Sequence, residues 1–297
     1  MFKVGTMSYP LAALLENEVP TWQRLLEVAA DVGADGIEFY DSHWGVTLED
    51  VECANDVRTR ARALDIEVFA LGSGTRLGFA DERRDEAMET LRTQILAAAA
   101  VGAEVVTFPA IDVPPVPTGR DPALGGLDFG AGAGPLVQQV KELADFAGEH
   151  SVRLALLNHC FFISSSWQQE WVAKLSGSAW VGACLDPGNY LYYCDEDPVS
   201  ATCRLAGNIH MVRLGDWERR GDNEIAAGFE EGRRLQLYQG APFGEGEVDH
   251  ATCFEILKAS GYRGFLSVKS PGPSADGPAV ALRQALERTR AMARAVE

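Results

Sequence analysis

Short apolar, β-branched runs alternate with amphipathic stretches along the whole chain. Phe2–Ser8 predicts a first strand, and Thr21 is a fitting N-cap for a helix running to Val32. Gly33-Ala34-Asp35-Gly36 turns into a second strand, Ile37–Tyr40. A helix over Leu48–Leu64 then leads to a strand at Ile66–Leu71. The next helix, Asp81–Ala100, leads to a strand at Glu104–Pro109. The second half keeps the rhythm. Helices over Gly134–Glu149, near Trp167–Leu175 and near Pro198–Leu205 precede strands at Arg153–Asn158, Trp180–Leu185 and Ile209–Leu214. A helix over Asp249–Ser260, a strand at Gly264–Lys269 and a helix over Pro278–Ala295 complete the pattern.

Strands that alternate with helices through short helix-to-strand turns are parallel. Eight such units in 297 residues predict an α/β chain folded as a single (β/α)8 TIM barrel over residues 1–297. A doubly wound sheet is the alternative, and no G-x-G-x-x-G follows the first strand to support it. Two strand-to-helix segments are long: Ile111–Ala133, rich in Pro and Gly, and Trp217–Val248, which is charged. Loops at this end of a barrel overhang the site, so both are expected to act as lids.

Composition narrows the function. The net charge of -17 disfavours nucleic acid and anionic membrane as partners. The six cysteines are scattered without a C-x-x-C pair, which argues against a disulfide framework or a zinc knuckle. Reduced thiols, no signal-peptide pattern and no apolar run long enough to span a bilayer predict a cytoplasmic protein. The expected partner is a small-molecule substrate, and a homo-oligomer is compatible with the sequence.

Four segments carry a resemblance. They are Gly33-Ala34-Asp35-Gly36-Ile37-Glu38-Phe39, Val181-Gly182-Ala183-Cys184-Leu185-Asp186-Pro187-Gly188-Asn189, Gly244-Glu245-Gly246-Glu247-Val248-Asp249 and Gly261-Tyr262-Arg263-Gly264-Phe265-Leu266-Ser267-Val268. In this order and spacing the chain resembles the sugar phosphate isomerase/epimerase family of xylose-isomerase-like barrels. The resemblance implies a divalent metal at the barrel mouth, held by a Glu, an Asp, a His and a Glu ending strands five to eight. The two glutamates would move a proton between adjacent carbons. Matched segment by segment, Leu157 stands where the first Glu belongs, Asp186 is present, Arg213 replaces the His, and Lys269 replaces the last Glu.

A metal site needs lone pairs aimed at one point. Leucine has none, arginine stays protonated, and a charged lysine has none to give. Each cation about 4 Å from a dication would cost about 8 kcal/mol at an effective dielectric of 20. No divalent metal and no other cofactor is therefore expected. Arg213 and Lys269 would stand in for the metal with Asp186 pairing them, and would polarise a carbonyl or hold an enolate, carboxylate or phosphate oxygen. Lys269 could equally serve as a general base or form a Schiff base. His159 lies two residues beyond Leu157 and so shares its inward parity, which makes it a candidate acid/base.

Glu38, Asn158, Asn189, Asp216 and Trp217 are candidate substrate-binding residues at or near strand ends. His43 could reach the site from a loop, and Tyr9, Trp44, Phe108 and Phe161 could wall it. His210 has the opposite parity to Arg213 and is expected to face the helices. The catalytic set read from the sequence is Lys269, Asp186, Arg213 and His159, in an isomerase or epimerase moving a proton next to a carbonyl of a small sugar, polyol or keto substrate. Two other readings remain open: a non-catalytic barrel that binds a sugar or carboxylate, and a conventional metal enzyme with displaced ligands such as His159, Asp186 and Glu38.

Overall fold

Eight parallel strands close on themselves. They are β1 (Lys3–Met7), β2 (Gly36–Tyr40), β3 (Glu67–Gly72), β4 (Val105–Phe108), β5 (Arg153–Leu157), β6 (Val181–Leu185), β7 (Ile209–Gly215) and, after a small hairpin, β10 (Phe265–Ser270). Each pairs with its neighbour in chain order, and β1 joins β10 to shut the barrel. This computed structural model describes residues 2–15, 18–44, 51–111, 129–159, 162–220 and 238–296. The fold is the single (β/α)8 TIM barrel that the strand–helix rhythm predicts.

Alternate residues of each strand serve two different cores. Outward side chains such as Ile37, Phe39, Leu154, Leu156, Val212, Leu214, Leu266 and Val268 pack against the helical ring. Inward ones, among them Phe69, Val105, Ala155, Leu157, Cys184, Met211 and Phe265, form a separate cluster inside the barrel. At its floor Phe69 and Phe265 stack with centroids 4.1 Å apart. Gly36 makes room for them, because a Cβ there would lie 2.9 Å from Phe69 and 2.8 Å from Phe265. One step nearer the mouth the inward positions turn polar: Glu38, Thr107, Arg213 and Ser267.

The main helices fall where the apolar period places them: α2 (Trp22–Asp31), α4 (Val51–Ala63), α5 (Arg83–Val101), α6 (Phe129–Glu149), α7 (Ser166–Ser176), α9 (Pro198–Leu205), α10 (His250–Ala259) and α11 (Pro278–Ala295). Three short helices were not foreseen: α1 (Ser8–Ala13), α3 (Asp41–Trp44) and α8 (Pro187–Cys194). The signal for α8 was present, since Asp186 caps it by accepting the Asn189 N–H at 3.2 Å and Pro187 fills its first turn. Helix α6 starts five residues earlier than its pattern suggests, because Gly130, Gly132, Gly134 and Pro135 mask the helical period there.

Of the two long loops, residues 112–128 lie outside the described residues and the rest of the first runs into α6. The second opens and closes as an antiparallel pair, β8 (Trp217–Arg219) with β9 (Tyr238–Gly240), and residues 221–237 lie outside the described residues. No helix among the described residues is long and apolar enough to cross a membrane.

Candidate active site

The polar layer above the aromatic floor is organised by one buried ion pair. Glu38 on β2 is fully buried and Arg213 on β7 is 5% exposed. Arg213 Nε donates to both Glu38 carboxylate oxygens, at 3.0 and 3.2 Å, and Nη2 donates to Oε1 at 2.5 Å. Nη2 also donates to Thr107 Oγ1 at 2.7 Å, and Ser267 Oγ donates to Glu38 Oε2 at 3.2 Å. Gly72 leaves space for the fork, since a Cβ there would stand 2.9 Å from Nη2. Burial opposes the Arg213 charge, but the Glu38 carboxylate outweighs it and holds the guanidinium above its ordinary pKa.

Arg213→Met should therefore cost about 3–5 kcal/mol of stability, because it strands a buried carboxylate. The double variant Arg213→Met with Glu38→Gln should recover part of that loss. Urea unfolding of the wild type and the two variants checks both statements.

A second pair lies at the strand ends. Lys269 Nζ donates to Asp186 Oδ2 at 2.5 Å and to Asn189 Oδ1 at 2.9 Å. Asp186 is buried while the Lys269 side chain keeps 21% of its exposure. Asn158 and Asn189 bind the ends of β5 and α8 together: Asn158 Nδ2 donates to the Asp186 carbonyl and Asn189 Nδ2 to the Asn158 carbonyl, each at 2.9 Å. Among the described residues, Asn158 Oδ1 is buried without a hydrogen-bond partner.

His159 continues β5 and meets Tyr193 edge-on at 5.3 Å between centroids. Burial, then the charges of Lys269, Arg213 and Arg76, push its pKa down to about 4. It is a neutral imidazole at pH 7, within electrostatic reach of both pairs.

The expected single cluster of Asp186 between Arg213 and Lys269 is thus divided in two. Arg213 takes Glu38 as its partner, and Asp186 takes Lys269. With Glu38 included, the four charges sum to zero, where Leu157, Asp186, Arg213 and Lys269 alone sum to about +1.

Glu38 has both oxygens committed to protein donors. Asp216 is likewise engaged: its oxygens accept the backbone N–H groups of Trp217, Gly244, Gly246 and Val248 at 2.9–3.2 Å, so it organises the turn before α10. Trp217 stacks on Tyr192 at 4.2 Å, over the glycine at position 188. His210 does not face the helices as its parity predicts: its ring lies over Gly182, on the side of the sheet that Ala155 lines, because the register shifts between Ala183 and Cys184, and its Nδ1 is 3.0 Å from the Leu154 carbonyl. Cys160 and Phe161 lie outside the described residues, as does the side chain of Trp44.

Thr107 and Ser267 escaped the sequence reading. Ser267 shares the inward parity of Lys269, which was the available signal. Nothing local in Thr107 marks it as the partner of an arginine 106 residues away.

A divalent ion does not fit this donor set. Leu157, Arg213 and Lys269 offer no lone pair, and the Asp186 oxygens are taken by Lys269 and by the Asn189 N–H. Among the described residues no three His, Cys, Asp or Glu side chains meet in a way that could hold a metal.

A closed parallel barrel with its polar side chains gathered at the carboxyl ends of the strands is an α/β barrel of the kind that places its site at that mouth. The chain belongs to the xylose isomerase-like TIM barrel family, whose description matches residues 26–292. It is 23% identical over 286 residues to L-ribulose-5-phosphate 3-epimerase UlaE of Salmonella heidelberg (strain SL476), covering 91% of this chain and 89% of that one. Among solved structures, the IolI protein with a binding zinc atom aligns with a TM-score of 0.74 at 18% identity, covering 99% of each chain. The 3-keto-D-glucoside 4-epimerase YcjR from E. coli aligns with a TM-score of 0.72 at 16% identity, over 98% of this chain and 100% of that one. At such identities the structural likenesses speak for the fold.

Proposed function

We propose that the chain is an isomerase or epimerase that moves a proton next to the carbonyl of a small sugar, polyol or keto substrate without a divalent metal. The observation that carries this reading is the Lys269 ammonium, fixed between Asp186 and Asn189 where relatives are expected to seat a cation. Among the described residues two of its three N–H groups are engaged, and the third would meet a substrate carbonyl. Negative charge developing on that oxygen during enolisation is met by a charge already in place. Held against a carboxylate, Lys269 serves here as an electrophile in preference to a base or an imine-forming amine.

Neutral His159 supplies the lone pair that removes the proton from the adjacent carbon and returns it. Its depressed pKa keeps it in the base form down to about pH 4, so protonation of His159 does not limit the rate at any pH where the fold is stable. Arg213, neutralised by Glu38, holds the floor of the pocket; it spends Nε and Nη2 on Glu38 and Thr107, and among the described residues Nη1 has no hydrogen bond and would orient a substrate hydroxyl. Trp217 and Tyr192 offer an aromatic platform beside the mouth.

The experiment is solvent deuterium exchange into a panel of ketoses and keto acids. Exchange at the carbon beside the carbonyl is expected with at least one ketose. Tight binding of a sugar without exchange would favour the binding barrel instead.

A further inference from the structure

Past the ends of β1 and β2 stands a group of side chains that the proton transfer does not use. Ser8 is fully buried. Its Oγ accepts the Tyr40 backbone N–H at 2.9 Å and lies 3.1 Å from His43 Nδ1. A buried hydroxyl hydrogen without an acceptor costs about 1–3 kcal/mol, and Nδ1 is the acceptor that Ser8 has not already used. Ser8 therefore donates to Nδ1. That fixes the tautomer: Nδ1 carries the lone pair and Nε2 carries the proton. Burial lowers the His43 pKa, so the ring is uncharged at neutral pH.

The imidazole sits edge-on to two tyrosines, with centroids 4.8 Å from Tyr9 and 6.4 Å from Tyr40. Tyr9 and Tyr40 are themselves 4.7 Å apart, and Tyr9 is 46% exposed. This wall is continuous with the site, because a Cβ on Gly72 would lie 3.3 Å from the Tyr40 ring and 2.9 Å from Arg213 Nη2. Its charge balance is not that of an anion site. Asp41 contributes a carboxylate, which accepts the Gly74 N–H at 2.7 Å; the charge of Arg213 is already met by Glu38, and Arg76, two residues beyond Gly74, is turned to the Ala110 carbonyl, to which its Nη1 donates at 3.3 Å.

We propose that Tyr9, Tyr40 and His43, with Ser8 setting the imidazole tautomer, form a subsite for the non-reacting end of the substrate, and that this end is an uncharged hydroxylated chain or ring and not a phosphate ester. The inference rests on the reading of the mouth as a keto-sugar site. The Nε2–H donates to a hydroxyl oxygen, and the Tyr9 ring covers a C–H face. A phosphate dianion would call for a cationic donor, whereas the His43 ring is uncharged and Asp41 would repel it.

The test is calorimetric titration of the full chain with D-fructose and with fructose 6-phosphate. D-fructose should bind the wild type. His43→Phe, which keeps the aromatic bulk and removes the donor, should weaken that binding about tenfold. Ser8→Ala, which releases the tautomer, should weaken it about threefold. The phosphate ester should bind no tighter than the free sugar. Equal affinity in wild type and His43→Phe overturns the subsite, as does a phosphate ester bound about tenfold tighter than D-fructose, or binding of neither sugar. Deuterium exchange separates this from the parent reading: exchange that persists while His43→Phe leaves affinity unchanged sinks the subsite alone. Binding that depends on His43 with no exchange sinks the proton-transfer reading alone.

Discussion

Lys269→Met is expected to lower solvent exchange into a bound keto sugar by about a hundred- to a thousandfold, the usual effect of removing one donor to a developing oxyanion. The substitution preserves most of the side-chain volume and removes the charge that faces the carbonyl. It also leaves Asp186 buried without its cation, so stability should fall by about 3 kcal/mol. The helix cap that Asp186 provides to α8 survives, because it uses the other oxygen. A second variant, Lys269→Met with Asp186→Asn, separates the two effects: stability should return and exchange should not. Wild-type exchange in either variant would remove Lys269 from the mechanism.

The second large effect is acid destabilisation. Burial is the leading cause that pushes His159, His210 and His250 down to about 4, from an ordinary value of 6.5. In the unfolded chain each takes up its proton as the pH falls through 6.5, whereas in the folded chain each waits until about 4. Between those values the unfolded state binds more protons, so stability is complete above 6.5 and is lost as the pH falls toward 4. Each histidine contributes about 3 kcal/mol to that loss. Three together rival the whole stability of an ordinary domain. The urea midpoint should fall steeply between pH 7 and pH 5, and a midpoint constant over that range would contradict the account. His250 is the most confined of the three, buried against Phe243 at 4.4 Å with its Nε2 3.9 Å from the Asp216 carboxylate. His250→Phe should therefore flatten the dependence.

The barrel was legible because strand parity and helix period are local properties. The alternation of Leu156 and Leu157, or of Val212 and Arg213, already says which side chain enters the barrel. The lysine at the mouth was legible for the same reason. What the chain order conceals is who pairs with whom. Glu38 and Arg213 are 175 residues apart and meet only because β2 and β7 face each other across a closed sheet. A reading confined to the ends of strands five to eight therefore overstated the positive charge of the site. Asp216 illustrates the converse. Its position after β7 suggests a ligand contact, yet the glycines at 244 and 246 bring backbone N–H groups onto it. A Cβ at Gly246 would collide with that carboxylate. The helix after Asp186 was written in plain capping chemistry, Asp-Pro-Gly-Asn, and was missed because the apolar period of α8 is too short to register.

In the proposed mechanism the Lys269 ammonium takes the place of an inorganic ion at the barrel mouth. The most direct test is solvent deuterium exchange by chelator-treated protein whose metal content is measured on the same sample. Exchange undiminished by the chelator, with metal far below one ion per chain, is the predicted result. Stoichiometric manganese, magnesium, zinc or cobalt, together with exchange that vanishes on chelation and returns on adding the ion, would contradict it.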